Sequence, residues 1–340
     1  VLGLLAVAAL LAWHGPGPER VAELLAVGPS QSPSHPAWTG WDWTALGGLA
    51  AAAVAVLLLH PDNPITRDEP DHAEYGRLAL AYYTSGLRDT AALTFRNNYL
   101  YGAGYDLLGA LWTGLLPAHP SRAMHLLGGL VGLVGIAACW RTGRALAGPR
   151  AGLWAVLLLL ATPIYVGHAF NNPKDIPFAA AYAQSMLWMV RVAQRWPAVP
   201  WWTTVAAGVC IGLACGVRIG GLLLGAVLLG LGLGHALLAL VRPGTVRAQL
   251  GPALGPLLRV VLPALVLAYA VMLACWPWAQ HGPLTRPWIA VEEMSHFAWD
   301  GMVLYRGQYP PSVGLPGSYA PTQLLLQLPE VVLPALALAV

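Results

Sequence analysis

The stretch AMHLLGGLVGLVGIAACW (123–140) runs into RTGRALAGPR (141–150) and then into AGLWAVLLLLATPIYVGHA (151–169). Each apolar run has the length of one bilayer crossing, about 17–25 residues. The turn between them holds three arginines and no acid. Two spanning lengths joined by a short basic turn are the pattern of a polytopic membrane protein with that turn on the cytoplasmic side. Further spanning lengths fall at 44–60, 176–193, 203–220, 221–241, 259–276 and 322–340. The connections Arg191–Arg195 and Arg242–Arg259 are also basic and free of acids, so the same rule places them beside the first turn.

Composition agrees. Of 340 residues, 57% are hydrophobic and 10% charged, against about 25% charged in a soluble domain. So few charges cannot cover a soluble surface of this size. The chain has 15 Trp and only 4 Phe, and Trp suits the headgroup boundary. A net charge of +3 with scattered arginines excludes a nucleic-acid partner. Cys139, Cys210, Cys215 and Cys275 lie inside apolar runs with no CxxC, and read as inert packing residues. The chain starts at Val1 without a Met and stops inside an apolar run at Val340, so it reads as a fragment. Residues 1–43 read as an apolar end, too short to span alone, and a Pro/Gly-rich connector; 44–340 read as a transmembrane domain. The expected fold is all-α, a polytopic transmembrane helical bundle with a long outer loop carrying interfacial helices.

Loops 61–122 and 277–321 then face outward, with the short turn at 170–175. One segment, AGYDLLGALWTGLLP (103–117), is apolar but short and contains Asp106. If it crossed, Arg141, Arg144 and Arg150 would move to the outer side. The arginine distribution therefore predicts a helix lying along the outer interface. On this topology nearly all acids are outside, and only Glu19, Glu23 and Asp42 remain on the other side.

Three outer constellations carry chemistry. ITRDEPDHAEY (65–75) places Asp68 and Glu69 at a helix start, where acids also serve simply to favour the first turn. GHAFNNPKDIPF (167–178) crowds His168, Asn171, Asn172, Lys174 and Asp175 into a turn at membrane depth, where isolated charges are costly. Arg218, in GLACGVRIGGLLL (212–224), is a lone cation at the outer end of two spans, either snorkelling or countering a phosphate. WPWAQHGP (276–283) and EEMSHFAW (292–299) add aromatic rings at the boundary without a metal-ligand spacing.

The order of these motifs resembles the GT-C superfamily of membrane glycosyltransferases. It is most similar to glycosyltransferase family 39 and its relatives of the protein O-mannosyltransferase and aminoarabinose transferase type. An Asp-Glu pair follows the first span, then come RxGRxLAGPRAGLWA (141–155), ATPxxxGHAFNNPKDIPFA (161–179), GLAxGxR (212–218), WPW (276–278) and LYRGQYPP…LPGSYAPTQLLLQLPE (304–330). The resemblance covers roughly 44–340. It implies an inverting transferase in a cell inner membrane, its site facing the periplasm, using a polyprenyl-phosphate sugar as donor and a glycan, lipid or protein acceptor. It also implies a catalytic role for Asp68, with Asp175 the acid of the next outer turn. The chain departs from the family in having NNYLYGAGYD (97–106) where a Lys-Pro-Pro or His-Pro-Pro element often stands, and Arg218 in place of a lysine.

The residues suit that reaction. A carboxylate, Asp68 beside Glu69, takes the acceptor proton, and Lys174, Arg218 or Arg96 counters the departing phosphate. His168, Asn171, Asn172 and Tyr101 line the substrate. Adjacent carboxylates at a low-dielectric boundary should raise one pKa toward neutrality. A divalent metal bridging carboxylate and phosphate is compatible with the sequence, which does not establish one. The competing readings are a transporter or lipid-carrier flippase, whose site would lie nearer the midplane, and a structural subunit of a membrane assembly.

Overall fold

The computed structural model describes residues 37–116, 119–241, 246–297, 299–330 and 332. The expectations for residues 1–36, and most of the expected span 322–340, lie outside these. The helices are α1 (Gly40–Leu59), α2 (Glu69–Thr84), α3 (Gly104–Leu115), α4 (Pro120–Ala147), α5 (Pro149–Leu160), α6 (Pro163–Asn171), α7 (Asp175–Arg195) and α8 (Trp201–Cys215). They continue with α9 (Leu222–Leu240), α10 (Val246–Pro256), a π turn (Leu257–Val261), α11 (Leu262–Ala274), α12 (Pro277–Gln280), α13 (Arg286–Ser295) and α14 (Tyr319–Gln327). Among the described residues there is no strand, only two isolated bridges, between Met302 and Pro311 and between Tyr305 and Gln308.

Among the described residues, four helices are long and apolar enough to cross a membrane: Gly40–Asp62, Pro120–Ala147, Ile219–Leu240 and Gln249–Ala274. The pair α5–α6 makes a fifth if taken as one span, but it is bent by 66°. The expected single span 151–169 is thus broken. Pro163 opens α6, and Thr162 before it is extended (φ −89°, ψ 102°), as the ring of a following proline requires. Three other expectations are corrected. The expected span 176–193 forms α7, which is long but not among the helices apolar enough to cross. The span 203–220 ends as α8 at Cys215, leaving Arg218 in extended backbone. The basic connection 242–259 is largely helical, since α10 tolerates Pro252 and Pro256 and passes through a π turn into α11.

α4 is the centre of the bundle: 56% of its apolar window is buried, against 11% for α1. Its glycines allow that closeness, for a Cβ on Gly128 would stand 2.5 Å from the Ala169 carbonyl oxygen of α6. The largest apolar cluster among the described residues joins α7, α8, α9 and α11 through Met189, Ile211, Leu224, Leu228 and Met272.

Polar contacts collect at the two ends of this bundle. At one, His125 near the start of α4 meets the His60 carbonyl at the end of α1 (3.3 Å), and Arg218 beyond α8 meets Asp175 at the start of α7. At the other, Asp42 at the start of α1 pairs with Arg144 at the end of α4 (2.6 Å), and Arg195 at the end of α7 meets Thr203 at the start of α8 (3.2 Å). Trp196 and His235 bring the end of α9 to that second end (ring centroids 4.9 Å apart), and Trp276 returns the end of α11 to the first. The chain between His60 and His125 therefore leaves and re-enters at one end. α3, about 18 Å long at 1.5 Å per residue, lies within that loop and does not cross.

Candidate active site

The first end gathers most of the residues expected there. Asp68 is the N-cap residue of α2, but its side chain makes no capping bond. It reaches instead to Lys174, 2.8 Å away, and stays 55% exposed. Glu69 turns the other way. Its Oε1 accepts the Thr66 N–H (2.6 Å) and lies 2.9 Å from the Thr66 hydroxyl, while its Oε2 is 2.7 Å from Nε2 of buried His125. The Thr66 hydroxyl also lies 3.0 Å from the Asn171 carbonyl, which ties the two outer segments together.

This divergence overturns the expected pKa behaviour. The Lys174 ammonium holds the Asp68 carboxyl below its ordinary value, and partial burial opposes without winning. A carboxylate with a cation of its own is held down rather than pushed up.

Asn172 organises the second segment. Its Oδ1 accepts the Lys174 N–H (3.1 Å) and the Asp175 N–H (2.8 Å), and its Nδ2 donates to Asp175 Oδ2 (2.9 Å). The other Asp175 oxygen meets the Arg218 guanidinium. Tyr101 stands between the cations: Lys174 Nζ is 5.5 Å from its ring centroid and the Arg218 guanidinium carbon 5.9 Å. The backbone fixes that ring. Gly104 N–H donates to the Gly216 carbonyl (2.9 Å), Ala103 N–H to the Cys275 carbonyl (2.9 Å), and the Trp276 indole to the Tyr99 carbonyl (2.7 Å). Gly102 must be glycine for this, because a Cβ there would stand 2.1 Å from the Gly216 oxygen.

Two expected residues stay apart from the cluster. Arg96 pairs with Asp71 and lies over Phe95 (5.5 Å), without a contact to Lys174 or Arg218. His168 is exposed on α6 and makes no side-chain bond to the other site residues among those described.

Three residues enter that sequence reading did not select: His125, His72 and Asp106. His72 Nδ1 is 2.9 Å from Asp106 Oδ1, both nearly fully buried. Burial raises the Asp106 carboxyl, and the His72 contact opposes it. His72 follows Asp68 by four residues, one helical turn, which was a usable signal; nothing local singled out His125.

An open groove of about 880 Å³ begins at Tyr101 and Arg218 and continues along Phe178, Leu222, Leu223, Ala226 and Trp288. A second cavity of about 220 Å³, between α2, α3 and α4, is walled by Glu69 and Asp106. No group of three His, Cys, Asp or Glu side chains is placed to hold a metal ion among the described residues.

The family model for dolichyl-phosphate-mannose-protein mannosyltransferase matches residues 106–278, just over half of the chain. No curated protein and no solved structure matches it.

Proposed function

Because the chain belongs to the dolichyl-phosphate-mannose-protein mannosyltransferase family, and is therefore a GT-C-type membrane glycosyltransferase, we propose that it moves a sugar, with inversion, from a polyprenyl-phosphate donor to a hydroxyl acceptor. The observation that carries this reading is the pair of exchangeable ion pairs, Asp68–Lys174 and Asp175–Arg218, set around Tyr101 at the mouth of an apolar groove. The donor phosphate binds Lys174 and Arg218, and its lipid chain lies along Phe178, Leu222 and Trp288.

Lys174 engaged by phosphate no longer holds Asp68. The loss of that contact lets the Asp68 carboxyl rise toward its ordinary value and accept a proton. The acceptor oxygen then bonds to the anomeric carbon as the bond from that carbon to the phosphate oxygen breaks. The electron pair leaves on the lipid phosphate, whose growing charge Lys174 and Arg218 counter. The acceptor proton passes to Asp68. A single displacement inverts the anomeric centre. Glu69, held by His125 and Thr66, fixes the loop that presents Asp68. The site faces the side opposite the arginine-rich turns, the periplasm of a cell inner membrane.

Purified, reconstituted protein given a radiolabelled polyprenyl-phosphate sugar and a hydroxyl acceptor tests this. Transfer is expected, with Lys174→Met or Arg218→Met weakening donor binding more than stability. Lipid or sugar flux across the bilayer with no transfer would replace this reading by that of a transporter.

A further inference from the structure

The other end of the bundle carries a polar layer that sugar transfer does not use. Arg141 and Arg144 come from the last two turns of α4, and Arg191 and Arg195 from the last two of α7. Arg191 and Arg195 are four residues apart on α7 and so share one helix face. Asp42, fully buried, pairs with Arg144 (2.6 Å), and Arg195 has the Thr203 hydroxyl (3.2 Å). Arg141 and Arg191 have no carboxylate partner among the described residues. Among the described residues, Arg141, Arg191 and Arg195 are thus guanidiniums without a carboxylate, beside an Arg144 already engaged by Asp42.

The walls of this cluster are aromatic. Trp188 of α7 and Trp202 of α8 meet edge to face, with centroids 5.8 Å apart. Arg141 lies over Trp188 (5.9 Å) and Arg195 over Trp202 (4.9 Å). The preference for arginine on one membrane face accounts for the sign of these charges. It does not account for α4 and α7 bringing Arg141 and Arg195 onto a joined pair of indoles. Like charges held together at the edge of a low-dielectric region cost free energy unless an anion joins them. Guanidinium forks match phosphate oxygens in pairs, and basic pockets between membrane helices are recurrent sites for anionic headgroups.

We propose that Arg141, Arg191 and Arg195 form a binding site for the phosphate of an anionic phospholipid headgroup, with Trp188 and Trp202 seating the adjoining glycerol. The bilayer itself supplies this ligand, and the site lies a full helix length from Asp68.

The experiment titrates full-length protein in neutral detergent with phosphatidylglycerol, phosphatidylcholine and inorganic phosphate. Saturable binding of phosphatidylglycerol is expected, tenfold or more tighter than that of phosphatidylcholine and of inorganic phosphate. Arg141→Lys/Arg191→Lys keeps the charge that sets topology but loses the planar forks, and should weaken phosphatidylglycerol at least tenfold. Arg150→Gln, at the same end but stacked on Trp41 (5.3 Å), should not change it. Equal affinity for the two phospholipids, or an unchanged double-lysine variant, would overturn the proposal. Inorganic phosphate binding as tightly as phosphatidylglycerol would also overturn it, in favour of a free-anion site. The wild-type comparison decides even if the double variant fails to fold.

Discussion

Asp68 and Lys174 restrain each other, so replacing Asp68 has two separable effects. Asp68→Asn keeps the side chain's size and removes the proton acceptor; turnover should fall by about 10²–10⁴-fold. It also releases Lys174 for the donor phosphate, so donor affinity should hold or rise. Rate at saturating donor and donor affinity, measured separately, check both; full turnover would shift the base to Asp175. Glu69→Gln should lose less activity than Asp68→Asn, because Glu69 positions the loop. The pH dependence follows from the sign of the shift. Asp68 has a folded pKa below its usual 3.8, so the stability the pair contributes is present above that value and lost as pH falls through the folded one. The contribution is modest in an exposed pair. The difference in melting temperature between wild type and Asp68→Asn should therefore stay flat through neutral pH and shrink only below the usual carboxylate range. The identities of Asp68, Lys174, Asp175, Arg218, Asn172 and Tyr101 were legible as a density of polar residues at span ends. Their pairing was not: Arg218 and Asp175 are 43 positions apart, and their meeting depends on how helix ends pack.

Among the elements, the segment 99–104 links the site to the bundle by leaning on the C-terminal ends of α8 and α11. Gly102→Ala would force a methyl group against the Gly216 carbonyl, a backbone atom that cannot swing aside. Overpacking of this kind costs about 1–3 kcal/mol, and its first effect should be to displace Tyr101 from between the cations. A melting temperature lowered by several degrees together with weaker donor binding is expected; unchanged donor affinity would remove Tyr101 from the site. The spanning helices were legible because continuous apolar runs of bilayer length have few other uses. The break between α5 and α6 was written in Ala161-Thr162-Pro163, yet membrane helices often absorb a proline, so the sequence left it open. The same tolerance hid the early start of α10, whose two prolines resembled the punctuation of a loop.

Across the whole molecule, two polar layers face each other along α4 and α7. From Asp175 to Arg195, α7 rises about 30 Å, close to the hydrocarbon thickness of a bilayer. Ser121 and Thr142 lie near opposite layers of α4. Cysteines placed there in a background free of native cysteines should react with an impermeant reagent from opposite sides of intact vesicles. Labelling of both from one side would defeat the topology, including the return of the chain through α3.

In the proposed reaction, the carboxylates that release the two cations to an arriving donor are also the groups those cations return to afterwards. A departing lipid phosphate monoester carries about −1.5 to −2 charges at neutral pH, more than the diester that entered, so left to itself the site would hold what it has made more firmly than what it consumes. On the proposed reaction, Asp68 and Asp175 would compete for Lys174 and Arg218 and thereby help to expel the spent lipid. Asp175→Asn should then show a rapid first turnover followed by a slow steady rate, with added lipid phosphate inhibiting it more strongly than wild type; a linear time course with wild-type inhibition would assign Asp175 to scaffolding alone.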